Sequence, residues 1–212
     1  MEGEILKVYE TNFRETYRRI CLLSGAEIVS KINLREIFDY PVEEEMQGFL
    51  TFGYIDEDAE FNFRILAAAQ LDGDKIKVFS SSYKKVKSIR RAEIPEVEIK
   101  ILSEKYFAAF TDKIKVLEDT FAFDAAKEKT RYIKTIDTLR HPNFPDDVAV
   151  YFHGENFQPE IGWVRCTEVE GNLLTGILLH DLQQNFEVRS GDKVNFGVAD
   201  FNGEIICAVI WK

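Results

Sequence analysis

From Asp147 to the C-terminus, apolar residues recur at every second position in short runs. DVAVYF, GWVRCTEV, LLTGILL, KVNFGVA and EIICAVIW are separated by turn signals that include Glu170-Gly171-Asn172, Ser190-Gly191-Asp192 and Asn202-Gly203. A period of two bounded by glycine corners predicts five short strands. At this near-regular spacing they make a small antiparallel β-barrel or a half-open sandwich. Within it, WVRCTEVEGNLLTGIL (163–178) reads as a hairpin around Gly171. Trp163 and Arg165 then share one face, and Val164 and Cys166 the other. The compact apolar set belongs inside, so Arg165 is expected towards solvent or an acidic neighbour such as Glu155 or Asp181. On that reading, Arg165→Ala changes stability by no more than about 1 kcal/mol.

The upstream residues alternate between the two periodicities. NFRETYRRICLL (12–23) opens on a capping Asn12 and spaces Phe13, Tyr17, Ile20 and Cys21 for a helix. Residues 26–38 suit a strand or a helical turn equally, and Pro41 and the acidic run Glu43–Glu45 follow. Gly48–Ile55, Phe61–Ala69, Lys75–Ser81 and Glu96–Leu102 read as strands, the middle two joined by an Asp72-Gly73 turn. Four such strands form a meander, buried on one face and wet on the other. Ser103 and Asp124 can each cap a helix. Phe107, Phe110, Ile114 and Leu117 form the apolar face of the first, and Tyr132, Ile133, Ile136 and Leu139 that of the second. His141-Pro142-Asn143-Phe144-Pro145 stops the second helix, because proline cannot continue it. The expected fold is therefore α+β: an antiparallel sheet with helices over residues 1–140, then an all-β domain over 141–212.

Charge is unevenly spread on this division. The chain carries −10 overall, and residues 141–212 hold 4 Lys+Arg against 11 Asp+Glu. An acidic C-terminal third repels phosphate backbones, so no nucleic-acid partner is expected. Lys75 to Lys100 runs the other way, with 8 Lys+Arg against 3 Glu. Lysines guarding an edge strand explain this stretch, and an acidic protein partner or the chain's own acidic domain is the next simplest reading. The three cysteines (Cys21, Cys166, Cys207) are far apart and lack CxxC spacing, which favours buried free thiols in a reducing cytoplasm. The N-terminus has no apolar signal core, and no apolar run is long enough to span a membrane.

The pieces HPNF (141–144), WVRCTEVEGNLLTGIL (163–178) and VRSGDKVNF (188–196) together resemble a bacterial domain of unknown function, the YegJ-like group. The resemblance covers about a third of the chain and implies a fold, not a reaction. Cys166 stands where the pattern has a β-branched apolar residue, and His180-Asp181 where it has Asn followed by Glu or Asp.

Chemistry-bearing residues cluster in the same third. His141, His153 and His180 lie near Asp146, Asp147, Glu155 and Asp181 in sequence, yet no HExxH or i,i+4 histidine pair fixes a metal geometry. His141 is equally explained by its place at a helix end. Cys166 and Cys207 sit in apolar strands, where a thiol is inert as a partner for histidine. No Walker loop, G-x-G-x-x-G or G-x-S-x-G is present, so no cofactor is expected. Two readings follow. One is a non-catalytic protein-binding, regulatory or immunity-like module. The other is an enzyme of unrecognised type at the barrel mouth, built from His153, Glu155, Arg165, His180 and Asp181. Trp163, beside a glycine at the rim, is the expected aromatic contact in either. Nothing in the chain sets an oligomeric state.

Overall fold

The computed structural model describes residues 4–38, 46–73, 75–80, 82, 84–121 and 124–210. Pro41, Glu43–Glu45, Tyr83 and Trp211 lie outside the described residues. The chain packs as two compact units, Met1–Phe121 and Ala122–Lys212.

The first unit contains β1 (Ile5–Lys7), α1 (Phe13–Thr16), β2 (Ile20–Ser24), α2 (Ala26–Lys31), α3 (Leu34–Ile37), β3 (Gly48–Ile55), β4 (Phe61–Asp72), β5 (Lys75–Ser80), β6 (Ser88–Arg90), β7 (Glu98–Ile101) and α4 (Thr111–Thr120). Its antiparallel sheet runs β1-β7-β2-β3-β4-β5, with β6 also paired to β4. The β3-β4-β5 run is the expected meander, turned by Gly73 at φ 56°. The fourth strand differs. EIKI (98–101) inserts between β1 and β2, at the far side of the sheet from β5.

The sheet is also not wet on one face. Every residue of β3 is buried. Phe49 and Ile55 pack with Ile28, Ile37 and Phe38, while Leu50, Phe52 and Tyr54 pack with Phe110, Ile114 and Leu117 on the other side. GFLTFGYI is nearly continuous in its apolarity, which is the pattern of a doubly covered strand. The same physics shortens the first helix. Asn12 does cap it, accepting from Glu15 N at 3.0 Å while Glu15 reaches back to Asn12 N at 2.8 Å. The helix then ends after one turn, and Ile20, Cys21, Leu22 and Leu23 are all buried as a central strand. Gly53 permits the close crossing beside that turn, since a Cβ there would stand 2.2 Å from the Thr16 carbonyl oxygen. In β4, Leu50 opposes Ala67 while Thr51 opposes Ile65. Leu66 is thus an extra residue, and its carbonyl accepts from Lys113 Nζ at 2.8 Å.

The second unit contains α5 (Ala125–Arg131), a 3₁₀ segment (Lys134–Leu139), β8 (Asp147–Gly154), β9 (Phe157–Glu170), β10 (Leu173–Leu178), β11 (Lys193–Phe201) and β12 (Glu204–Val209). The five strands are those expected, and they close in the order β10-β11-β12-β8-β9. An up-and-down run with an odd number of strands must join its first and last members in parallel. β8 and β12 do so through Val150 with Cys207 and Tyr151 with Ala208, while the remaining pairs are antiparallel. Val148, Val150, Phe152, Val164, Cys166, Leu174, Phe196 and Cys207 fill the interior.

The division falls at Phe121/Ala122 and not at His141–Pro145. Ile136 is fully buried in the barrel's own core, so the helical segment before the proline pair belongs to the barrel. Divided there, residues 1–121 hold 18 Lys+Arg and 23 Asp+Glu, and residues 122–212 hold 9 and 14, which is −5 for each. The charge asymmetry of the earlier division disappears. The segment is also not one helix. Asp124 caps it through Ala126 N and Lys127 N, but α5 ends at Arg131 and leaves Tyr132 68% exposed. The helix expected after Ser103 likewise begins as a 3₁₀ segment (Glu104–Phe110), its Ser103 side chain making no capping bond and its Phe107 exposed.

Candidate functional site

Trp163 and Arg165 lie on β9 with Val164 and Cys166 turned inward and fully buried, as the alternation requires. Trp163 is half-buried, and His141 meets it edge-on with ring centroids 5.3 Å apart. The Trp163 N–H donates to His180 Nε2 at 3.1 Å. His180 Nδ1 lies 3.1 Å from the Asp181 carbonyl oxygen, which can only accept, so the ring is the neutral tautomer with its proton on Nδ1. Trp163, His180 and Asp181 therefore do come together. Asp181 is itself occupied, its Oδ1 accepting from Ser190 N at 2.8 Å.

His153 and Glu155 do not join them. Ala149 is the register partner of Trp163, and His153 lies four residues further along β8, about 13 Å at the usual strand rise. Glu155 follows in the turn beyond.

The loop after β10 explains the placement of His180. β9 extends past β10, so its first half needs partners for its backbone. A loop side chain supplies them at Gln158, where Gln184 accepts from the N–H and donates to the carbonyl; Glu160 on β9 in turn accepts from Gln183 N and Gln184 N and fixes the loop. His180 performs the same task at Trp163. His141 is a backbone acceptor too, its Nδ1 taking Asn143 N and Phe144 N at 3.2 Å each. Two of the three histidines thus hold the chain in shape. Among the described residues, no group of three or more His, Cys, Asp or Glu is arranged to hold a metal ion.

Arg165 finds an acid, though neither of those expected. Its Nε and one terminal nitrogen grip Asp147 at 2.7 and 3.0 Å. The Asp147 side chain is only 8% exposed. Removing the guanidinium would strand a nearly buried carboxylate, which overturns the expectation of a negligible effect. Arg165→Ala is now expected to cost about 1–3 kcal/mol in urea unfolding. A loss below the detection limit would mean that Asp147 finds water instead.

The densest polar arrangement was not legible as a site. Arg131 donates from Nε and a terminal nitrogen to the two oxygens of Asp146 at 2.8 and 2.6 Å, and to Glu128 at 2.6 Å. Arg140 donates to the Pro145 and Thr130 carbonyls and to Asp137. Both arginines and Asp146 are buried. Desolvation lowers the Arg140 pKa, against the pull of Cys166 and Asp137. These contacts fasten the helical segment to the barrel. The adjacent acids Asp146 and Asp147 after Pro145 were the available signal.

The three thiols are free and buried, and burial pushes each up to about 12. None is poised as a nucleophile. The basic stretch is thinner than its sequence. Arg91 is buried, donating to the Val8 carbonyl and to the Thr11 hydroxyl and carbonyl. Arg90 pairs with Glu60 at 3.2 Å. Lys75 and Lys77 lie on β5, at the edge of the sheet.

Compared with family models, curated proteins and solved structures, the chain gives no match. No helix among the described residues is long and apolar enough to cross a membrane.

Proposed function

We propose that the chain is a non-catalytic protein-binding module of the bacterial cytoplasm, regulatory or immunity-like, in keeping with the YegJ-like resemblance of residues 141–212. The observation that carries this reading is the β11–β12 hairpin. β10 accompanies β11 only as far as Gly197, and β8 touches β12 only at Cys207 and Ala208. Ala199, Asp200 and Phe201 consequently pair with Ile206, Ile205 and Glu204 alone among the described residues. Phe201 is 64% exposed there, with Val198 and Ile205 also at the surface. An unpaired hairpin bearing exposed apolar side chains is a template for a partner chain. Its Asp200 and Glu204 favour a partner whose apolar patch is rimmed by cations. Trp163 supplies a second, more shielded contact at the barrel rim.

The test is site-specific photo-crosslinking in intact cells. A photoreactive residue at Phe201 or Ile205 should capture one discrete partner, and one at Glu168 should not. Phe201→Asp should abolish capture from the Ile205 position without changing the melting temperature. Equal capture at Glu168, or none at the hairpin, would refute the proposal.

A further inference from the structure

Asparagine occurs nine times in the chain, and eight of the nine precede Phe or Leu. Asn202 alone precedes glycine. The difference is chemical. An asparagine side chain is open to attack at Cγ by the backbone nitrogen of the next residue, and a bulky side chain on that residue stands in the way. Gly203 has no side chain to do so. Asn202 and Gly203 are both exposed at the tip of the β11–β12 hairpin, between the register partners Phe201 and Glu204. Asn202 has φ 55° and Gly203 φ 86°, the left-handed pair that a two-residue hairpin turn requires.

The Gly203 N–H donates to Asp200 Oδ1 at 2.8 Å. In the cyclic imide that the attack forms, Asn202 Cγ stands where the amide hydrogen stood. That direction is held here by the Asp200 carboxylate, and a hydrogen bond to a carboxylate is among the stronger kinds. We propose that Asn202 is a self-modifying site, at which the hairpin tip converts to aspartate and isoaspartate, and that Asp200 is the latch that slows the conversion. The inference concerns the chemistry of the tip and stands whether or not the hairpin binds a partner.

The reaction needs only water and hydroxide, which reach the exposed tip. When the tip opens and the Asp200 bond breaks, Gly203 N gives its proton to hydroxide and bonds to Asn202 Cγ. The Cγ–Nδ2 bond then breaks, and the leaving nitrogen takes a proton from water and departs as ammonia. Water opens the ring at either carbonyl. Attack at Cγ leaves aspartate, which adds a negative charge beside Asp200 and Glu204. Attack at the main-chain carbonyl leaves isoaspartate, which lengthens the backbone by one carbon, so the turn no longer holds Phe201 opposite Glu204. The hairpin thereby carries a chemical lifetime set by how often its tip opens.

The experiment is peptide mapping of the full chain by mass spectrometry after incubation at mildly alkaline pH, with isoaspartate scored by an isoaspartyl methyltransferase. The eight asparagines before Phe or Leu serve as internal references. Conversion should concentrate at Asn202. It should run roughly fivefold faster in Asp200→Ala, the factor expected for one lost hydrogen bond. Asp200→Asn keeps an acceptor at the same place without the charge, and should stay near the parent rate. Asp200 is exposed, so neither substitution should move the melting temperature. In urea, where the latch is open in every chain, the parent and Asp200→Asn should convert as fast as Asp200→Ala. Conversion no faster at Asn202 than at the references, an Asp200→Ala rate equal to the parent's in the folded chain, or an Asp200→Asn rate equal to that of Asp200→Ala there would overturn the inference.

Discussion

Arg131→Leu should destabilise the barrel unit by about 3–5 kcal/mol, while Arg131→Leu combined with Asp146→Leu should return to within about 2 kcal/mol of the parent. The asymmetry follows from burial. The Asp146 side chain is 1% exposed and that of Arg131 7%, with two parallel hydrogen bonds between them. Deleting the arginine leaves a carboxylate that water cannot reach. Deleting both removes the desolvation cost along with the attraction. Exposed pairs such as Lys31–Glu27 should matter by less than about 1 kcal/mol by comparison. Intrinsic fluorescence reads the result selectively, because both tryptophans, Trp163 and Trp211, fall in residues 122–212. Equal losses in the single and double variants would show that the pair is not buried in solution.

Alkaline pH should unfold the barrel unit before the sheet unit. In the unfolded chain each thiol ionises near its ordinary value of 9.0, whereas burial delays this to about 12 in the folded state. Between those values the unfolded state binds fewer protons, so stability falls as pH rises. It is fully present below about pH 9. The loss approaches about 1.4 kcal/mol per pH unit for each thiol. The barrel holds Cys166 and Cys207, and the sheet unit Cys21 alone. Lys113 works in the opposite direction in the sheet unit, since its lowered value lets the unfolded state hold more protons above pH 8. Urea midpoints followed by tryptophan fluorescence should drop steeply above pH 9 and flatten in a Cys166→Ala, Cys207→Ala variant. A midpoint unchanged between pH 9 and 11 would contradict the burial of these thiols.

The barrel was readable because its information is local. Alternating residues such as Val148, Val150 and Phe152, broken by glycine corners, specify both strand and inward face. The sheet unit was harder. ICLL satisfies helical spacing and a central strand equally, and only the packing of elements far away in sequence decides between them. The position of EIKI beside β1 and β2 is likewise a long-range choice that no window of residues contains.

The candidate site misled for a related reason. His141 and His180 carry chemistry in principle, but here His141 accepts the N–H groups of its own turn, and His180 accepts a β9 N–H that a neighbouring strand would otherwise take. That need arises from β9 outrunning β10, which is a matter of register. The apolar spacing of Tyr132, Ile133, Ile136 and Leu139 carries no signal that Arg131 and Arg140 are buried beside them. The carboxylate that buries Arg131 lies 15 residues away, beyond a proline turn.

Hydrogen exchange on the intact protein tests the account most directly, because it reads the hooked barrel and its unpaired hairpin together. Peptides covering residues 125–140 should exchange with the same protection as strands β8 and β9, opening only with the barrel as one cooperative unit. Peptides covering residues 198–206 should retain about half of their amides, those bonded between the two strands, and lose the outward half rapidly. Rapid exchange over 125–140 in a barrel that stays protected would detach the helical segment from the unit. Full protection over 198–206 in the free protein would show that the hairpin is already covered, and would remove the surface on which the proposed function rests.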